Sequence, residues 1–266
     1  MPGPSQITPA NLMRLLGTPD APQIIDLRID DDFAADPRTI PTARRLPFAS
    51  IADHVESLRG HHIILSCQRG AKLSEGAAAL LRCHGLRAEN LAGGHEAWVA
   101  ASLPLIPAGI LPTTGLWVTR HRPKIDRIAC PWLIRRFINP AARILYVAPS
   151  EVQGVAERFN AVPFDIEGTY WSHRGETCTF DTMLTEFGLQ TEALARLAIV
   201  VRAADTDRHD LSPQAAGLLA ISVGLSRMYR DDLEQLAAGI ALYDALYRWA
   251  RDGFEESHDW PAGRTE

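Results

Sequence analysis

The stretch that most constrains this chain is Ile63-Ile64-Leu65-Ser66-Cys67-Gln68-Arg69-Gly70-Ala71-Lys72-Leu73-Ser74. An apolar run stops at a cysteine, and a short loop with one glycine and two basic residues follows. Ser74 to Leu81 then reads as a helix. A strand that turns through a short loop into a helix leaves the loop and first-turn N–H groups without backbone partners, converging on one point that suits an anion. A cysteine at the mouth of such a loop sits in a positive field that favours the reactive thiolate. Most free cysteines are small core residues. Here Gly70 permits a tight turn with positive φ, and Arg69 and Lys72 are poor neighbours for a core position. Cys67 is therefore a candidate nucleophile.

The rest of the first half reads as alternating elements. Residues 7–16 suit a short amphipathic helix that Thr8-Pro9 starts and Gly17-Thr18-Pro19-Asp20 ends. Gln23 to Leu27 is a buried strand, and Asp30, Asp31 and Asp32 form a solvated acidic loop. Ala52 to Leu58 is helical, Leu86 to Leu91 is a strand, and Glu96 to Ala101 is a closing helix. Strands alternating with helices predict an α/β fold, a parallel sheet with helices on both faces. Reactive loops in such sheets lie at the carboxyl end of a strand, where Cys67 falls.

Four pieces of this half resemble rhodanese-type sulfurtransferases: the Cys67 loop, Ile24-Ile25-Asp26-Leu27-Arg28, Ile40-Pro41-Thr42-Ala43, and Leu91-Ala92-Gly93-Gly94-His95-Glu96-Ala97-Trp98. Thr39 and Thr42 stand where the family usually has His and Gly. The resemblance implies that Cys67 forms a persulfide and that the N–H groups of Gln68, Arg69, Gly70, Ala71, Lys72 and Leu73 hold the anionic sulfur. It also implies that Asp26 and Arg28 brace the loop. Sulfur transfer of this kind needs no cofactor; it takes a small-molecule sulfur donor such as thiosulfate and a thiol or cyanide acceptor. The same fold carries phosphatases and arsenate reductases, which need Cys-x5-Arg. Leu73 stands where that arginine would close the ring, so a loop sized for sulfur fits better than one sized for phosphate.

Pro104 to Thr114 holds three prolines and a glycine and marks a boundary. We divide the chain into a first domain over 1–106, a linker over 107–115 that packs against a domain, and a second domain over 116–266. A length of 266 residues suits two domains. A net charge of −5 gives no general nucleic-acid surface. Cys67, Cys83, Cys130 and Cys178 form no CxxC and suit a reducing compartment. The start, Met1-Pro2-Gly3-Pro4-Ser5, has no signal-peptide character, and no apolar run approaches the ~18 residues that span a bilayer. The expectation is a cytoplasmic protein with neither a membrane nor a nucleic-acid partner.

The second domain reads as mixed α/β that becomes mainly helical. Leu116 to Arg120, Ile144 to Val147 and Val162 to Ile166 are strands. Pro131 is tolerated in the first turn of a helix, so a helix is predicted to start near Cys130. Ser150-Glu151-Val152-Gln153 reads as a capping box opening a helix to about Phe159. Helices follow over 179–187, 191–204, 213–225 and 231–251, and the polar tail from Glu255 is expected to fray.

Two sites are candidates here. Arg120, His121, Arg122, Lys124, Arg127, Arg135 and Arg136 crowd into one stretch, and arginine forks match tetrahedral oxyanions. Arg120, Lys124, Arg127 and Arg135 lead as oxyanion ligands, chromate among the oxyanions considered; the alternative is that they are solvated or pair with Asp126, Asp165 and Glu167. His173 and Asp205, then Cys178 and Asp165, are candidate ligands for a divalent metal such as iron, manganese or zinc, although no standard ligand spacing is present. Cys130 is either a sulfur acceptor or a core thiol.

Trp117 to about Arg251 resembles the C-terminal domain of the chromate-resistance (ChrB) family. The resemblance rests on Trp117-Val118-Thr119-Arg120, Ile125 to Phe137, Pro163-Phe164-Asp165, His173 with Cys178-Thr179-Phe180, and Arg202-Ala203-Ala204-Asp205. It implies a link to chromate or oxidative stress. Regulators in that family use a separate N-terminal DNA-binding region, and a rhodanese-like domain stands in its place here.

Two readings follow. One is a sulfurtransferase acting through Cys67. The other is a sensor or accessory protein with little turnover, whose second domain binds chromate or a metal. A DNA-binding regulator lacks a helix-turn-helix with a basic recognition helix. Leu236, Ile240, Tyr243, Leu246 and Tyr247 on the last helix are either core or the face of a homodimer.

Overall fold

Ile63, Ile64 and Leu65 have no exposed surface, so the strand that carries them needs cover on both faces, the situation of a central parallel strand. The computed structural model, which describes residues 3 and 5–256, places it there. In chain order the first domain holds β1 (Gln6–Ile7), α1 (Pro9–Leu15), β2 (Gln23–Asp26), α2 (Asp30–Ala35), β3 (Arg38–Thr39), β4 (Arg44–Arg45), β5 (His62–Ser66), α3 (Lys72–Cys83), β6 (Arg87–Leu91), α4 (Gly94–Ala100) and β7 (Ile106–Pro107). One sheet runs in the order β1-β6-β5-β2-β4, with every pairing parallel.

Strand alternation sorts the side chains between two layers. Ile63 and Leu65 join Ile25 and the Ala77, Ala78 and Leu81 face of α3. Ile64 joins Ile24, Leu12 and Leu16 at α1, and Trp98 of α4, on the other side. The fold is α/β, with helices on both faces of a parallel sheet.

The second domain holds β8 (Leu116–Arg120), α5 (Asp126–Leu133), β9 (Arg143–Val147), α6 (Val152–Phe159), β10 (Val162–Pro163), α7 (Thr179–Glu186), α8 (Glu192–Asp205), α9 (Gln214–Met228) and α10 (Asp232–Asp252). Its sheet has the order β10-β8-β9, again parallel, and the chain after Cys178 is helical. Residues 106–110 run back along the first domain: β7 pairs antiparallel with β3, and the Ala108 N–H donates to Pro37 O at 2.8 Å.

One apolar core runs through both domains, from Leu12 and Trp98 to Trp132, Phe137, Tyr243 and Tyr247. At Gly17 the chain has φ +75°, and a Cβ there would stand 2.4 Å from Phe137 Cζ and 2.7 Å from Tyr247 Cε1. Across the same seam the Thr42 N–H donates to Phe137 O at 2.9 Å. Leu236, Tyr243 and Tyr247 are fully buried, and Ile240 and Leu246 pack against the same core. The apolar face of α10 is therefore core rather than a dimer surface.

Several elements differ from the sequence reading. Asp30 to Asp32 open a short helix instead of a loop, because three carboxylates in a first turn favour one. Residues 48–58 form 3-10 turns. The helix after the Cys67 loop begins at Lys72 rather than Ser74. Ser150 and Gln153 form no capping box: Pro149–Glu151 is a 3-10 turn, Ser150 Oγ donates to Glu151 at 3.1 Å, and α6 starts at Val152. The expected fraying from Glu255 falls almost wholly on 257–266, outside the described residues.

The largest difference is at Pro131, which lies inside α5 rather than in its first turn. A proline there has no N–H for the carbonyl four residues back, that of Arg127. Tyr146 on β9 donates its hydroxyl to Arg127 O at 2.7 Å and replaces the missing donor. The helix then loosens into a π turn over Ile134–Ile138, closed by the Asn139 N–H on Ile134 O. Tyr146→Phe is expected to cost about 1–2 kcal/mol in denaturant unfolding, the cost of a stranded carbonyl. In a Pro131→Ala background, where residue 131 recovers an N–H, the same substitution should cost less. Equal costs in the two backgrounds would refute the compensation.

Candidate functional site

Cys67 follows the last residue of β5, at the carboxyl edge of the central strand. Its neighbours are held by backbone contacts that only glycine permits. Gly70 has φ +65°, and a Cβ on it would lie 2.3 Å from Leu91 O and 2.5 Å from Gly94 N. Gly94 has φ +61°, and its Cβ would lie 2.2 Å from Cys67 O and 2.3 Å from Gly70 N. The two turns are thus pressed backbone to backbone. His95 N–H donates to Cys67 O at 2.9 Å, Glu96 N–H to Gln68 O at 3.0 Å, and Asn90 Nδ2 to Gly70 O at 3.0 Å.

With the loop carbonyls drawn outward in this way, the N–H groups of Gln68, Arg69, Gly70 and Ala71 make no hydrogen bond to protein acceptors among the described residues. They are followed directly by the first turn of α3, which begins at Lys72. The Cys67 residue is 5% exposed, and its Sγ lies 3.2 Å from Ser74 Oγ. Arg69 and Lys72 stand exposed at the rim, and Arg69 Nε reaches Glu96 at 3.4 Å.

Asp26 and Arg28 sit one strand away. Asp26 pairs in register with Ser66, and the Leu27 N–H donates to Ser66 O at 2.7 Å. The Arg28 guanidinium is buried, bonds Asp26 at 2.7 Å and reaches the carbonyls of Asp36 and Arg38. Asp26 thus lies beside the strand that ends at the loop, and Arg28 touches none of the loop residues among its hydrogen bonds. His95 was outside the sequence candidates. Its ring lies 2.9 Å from Asp36 Oδ2, and Asp36 also bonds Arg38 at 2.6 Å.

In the second domain, four distant segments meet. His173 Nε2 lies 3.1 Å from Asp205 Oδ2, 3.4 Å from Asp165 Oδ1 and 3.5 Å from Asp126 Oδ2. Asp126 begins α5, Asp165 follows β10, and Asp205 ends α8. Gln235 and Tyr243 of α10 hold the entry to α5 by donating to Pro123 O at 2.6 Å and Ile125 O at 3.2 Å. Thr179 ties two carboxylates together, its N–H on Asp126 Oδ2 at 2.6 Å and its hydroxyl on Asp165 Oδ1 at 3.0 Å. Burial pushes Asp126 up to about 7, with Asp205 and Asp165 adding to the rise and His173 opposing it. Hydrogen bonds to Asp126, Asp165 and Asp205 push His173 up to about 12. Burial raises Asp165 too, but His173, Arg120 and Arg127 together hold it below the usual carboxylate value.

Asp126 and Thr179 were missed in the sequence as members of this cluster. The only local signal was an acidic residue beside an apolar helix. Cys178 turns away from the cluster: it sits at the start of α7 with its thiol 3.3 Å from Asp181. Cys130 is fully buried in the core.

The basic stretch does not form one anion cradle. Arg120 and Arg127 both reach Asp165, at 3.0 and 3.3 Å. Arg122 donates to the Tyr229 carbonyl at 3.1 Å, and Arg136 pairs with Asp244 at 2.6 Å. Arg135 donates to Ala142 O at 3.1 Å and, with Arg136, faces a cavity of about 590 Å³ between the domains. Lys124 is exposed. The helix terminus expected among these residues at Cys130 is displaced to Asp126, which places a carboxylate in the first turn.

Residues 117–250 match the family described as ChrB, C-terminal domain, and residues 8–101 match the rhodanese-like domain. The chain belongs to the ChrB C-terminal domain family and carries a rhodanese-like domain ahead of it. The ChrB-type domain is similar to Protein ChrB of Cupriavidus metallidurans, 35% identical over 133 residues, which is 49% of this chain and 39% of that protein. The chain thus spans well under half the length of that relative. Among solved structures, the rhodanese-like domain is similar to a rhodanese-like domain protein from Staphylococcus aureus (29% identical, covering 35% of this chain and 90% of that chain, TM-score 0.32). It is also similar to thiosulfate sulfurtransferase from Pseudomonas aeruginosa (29% identical, covering 39% of this chain and 19% of that chain, TM-score 0.34). No helix among the described residues is long and apolar enough to cross a membrane.

One pH-dependent part of the stability of the rhodanese-like domain comes from Asp36, whose carboxyl the Arg38 hydrogen bond and then the His95 contact hold below its ordinary 3.8. A lowered acid contributes stability that is fully present above the unfolded value and lost as pH falls through the folded one. Asp36→Asn is expected to cost about 1–2 kcal/mol at pH 7, with the difference from wild type shrinking as the pH is lowered from about 4 in urea melts. A deficit that stays constant down to pH 2 would refute this role.

Proposed function

We propose that the rhodanese-like domain is a sulfurtransferase working through a Cys67 persulfide. The observation that carries this reading is the set of unbonded N–H groups from Gln68 to Ala71 around a cysteine at the carboxyl end of β5. The Cys67 thiolate attacks the outer sulfur of a donor such as thiosulfate. The S–S bond of the donor breaks, sulfite leaves with the bonding pair, and Cys67 carries the transferred sulfur as a persulfide anion. The loop N–H groups face that charge, and Arg69 and Lys72 attract the anionic donor at the rim. A thiol or cyanide then attacks the terminal sulfur and returns the Cys67 thiolate, so sulfur transfer needs no cofactor. The low exposure of Cys67 favours small donors and acceptors over a protein surface. The ChrB-type domain ties this activity to chromate or oxidative stress through its family membership, and the four free cysteines suit the cytoplasm.

Intact-protein mass spectrometry after incubation with thiosulfate tests the reading. The wild type is expected to gain one sulfur that cyanide removes, and Cys67→Ser to gain none. Sulfur transfer at wild-type rate by Cys67→Ser would overturn it, as would a wild type that stays unmodified with thiosulfate and with an organic polysulfide alike.

A further inference from the structure

His173 Nε2 has three carboxylate oxygens around it at 3.1, 3.4 and 3.5 Å. A ring N–H can serve one acceptor well, and a charge-assisted hydrogen bond of that kind closes to about 2.7–2.9 Å. The observed spacing is longer than that in all three directions. Ligand atoms held about 2.0–2.2 Å from one ion stand about 3.0–3.5 Å from one another, and the distances from His173 to the Asp126 and Asp205 oxygens fall in that range. Asp126, His173 and Asp205 each offer one atom, all within 4.8 Å of one another.

The charge balance points the same way. Arg120 and Arg127 answer Asp165. Asp126 and Asp205 meet no cationic side chain but His173 among the described residues. Asp126 is 1% exposed, and a carboxylate so placed is costly without a cation. Two carboxylates with a neutral imidazole would leave a charge that a divalent ion neutralises.

We infer that Asp126, His173 and Asp205 form a binding site for a divalent first-row transition cation. One imidazole with two carboxylates suits manganese, iron or zinc; magnesium and calcium take oxygen ligands alone. Three protein ligands leave positions open for water or an added ligand, and the His173 side chain, 40% exposed, puts them toward solvent. Thr179, whose N–H donates to Asp126 Oδ2 at 2.6 Å, orients that one carboxylate as a positioning residue. This site is independent of the Cys67 chemistry.

The test uses the full chain, stripped with a chelator and titrated with Co²⁺ alone, read by its d–d absorption. The expected result is one Co²⁺ per chain with no thiolate-to-cobalt charge-transfer band. Affinity should fall at least about tenfold in both His173→Ala and Asp205→Asn and be unchanged in Cys67→Ser. His173 lies on an exposed turn, and near-UV circular dichroism checks that each variant keeps its fold. No saturable uptake, uptake unchanged in both folded variants, or a thiolate band lost on cysteine substitution would each overturn the site. Failure of sulfur transfer in the same protein would leave these readings untouched.

Discussion

Gly17 has no side chain, and the rings of Phe137 and Tyr247 occupy the space where one would stand. The aromatic cluster that carries the core from one domain into the other is built around that contact. Tyr247 and Phe137 meet edge to face, with ring centroids 5.6 Å apart, and both pack on Trp132. Trp132 is fixed in turn by its indole N–H on Asp244 at 2.8 Å. The ring cluster thus sets α10 against α5 and both against the end of α1. At the other end of the pair, Gly239 of α10 lies so close to α5 that a Cβ would stand 2.5 Å from Ile128 Cγ2. That close approach brings the α10 side chains to the backbone before Asp126. The carboxylate cluster therefore inherits its geometry from the same packing that joins the domains.

How much of this could be read from the chain depended on how far apart the cooperating residues lie. The Cys67 loop was legible because strand, cysteine, glycine and helix fall within twenty or so consecutive residues, and each carries a local conformational preference. The partner that presses on Gly70, the Gly93–Gly94 turn, was visible as a motif, but its contact with the loop was not. The His173 cluster draws on positions 126, 165, 173 and 205, so each segment alone looks like an ordinary helix end or turn. His173, Asp165 and Asp205 could be singled out, whereas Asp126 could not. Its role depends on the start of α7, fifty residues further on. Pro131 misled for the same reason. The rule that proline belongs in the first turn assumes that the stranded carbonyl has no other donor, and Tyr146 on a neighbouring strand supplies one. An apolar stripe such as that on α10 has one pattern for a core and for a dimer face. Only the contact with Ile128 and the aromatic cluster decides between them.

The arginine-rich stretch teaches a related point about charge. Its density suggested an anion site, but four of its side chains are spent within the protein. Arg120 and Arg127 offset Asp165, Arg136 offsets Asp244, and Arg122 holds carbonyls at the end of α9. A run of like charges tells how much countercharge the fold must bring, not where a free ligand binds. In this domain the countercharge is brought mainly by carboxylates, and they outnumber their arginines near His173.

Burial, with these carboxylates adding to it, acts on two of the four free cysteines. Burial and then the charge of Asp126 push the thiols of both Cys130 and Cys178 well above the ordinary value. A thiol held in that state neither attacks a persulfide nor leaves as a thiolate. Cys130, fully buried and with its thiol raised, is placed as a core thiol rather than as a sulfur acceptor. The open N–H loop of Cys67 lies in the first domain, and the buried carboxylates around His173 lie in the second. The two domains thus hold opposite electrostatic environments apart, unbonded N–H groups in one and clustered carboxylates in the other, each of which would weaken the other if they shared a cleft.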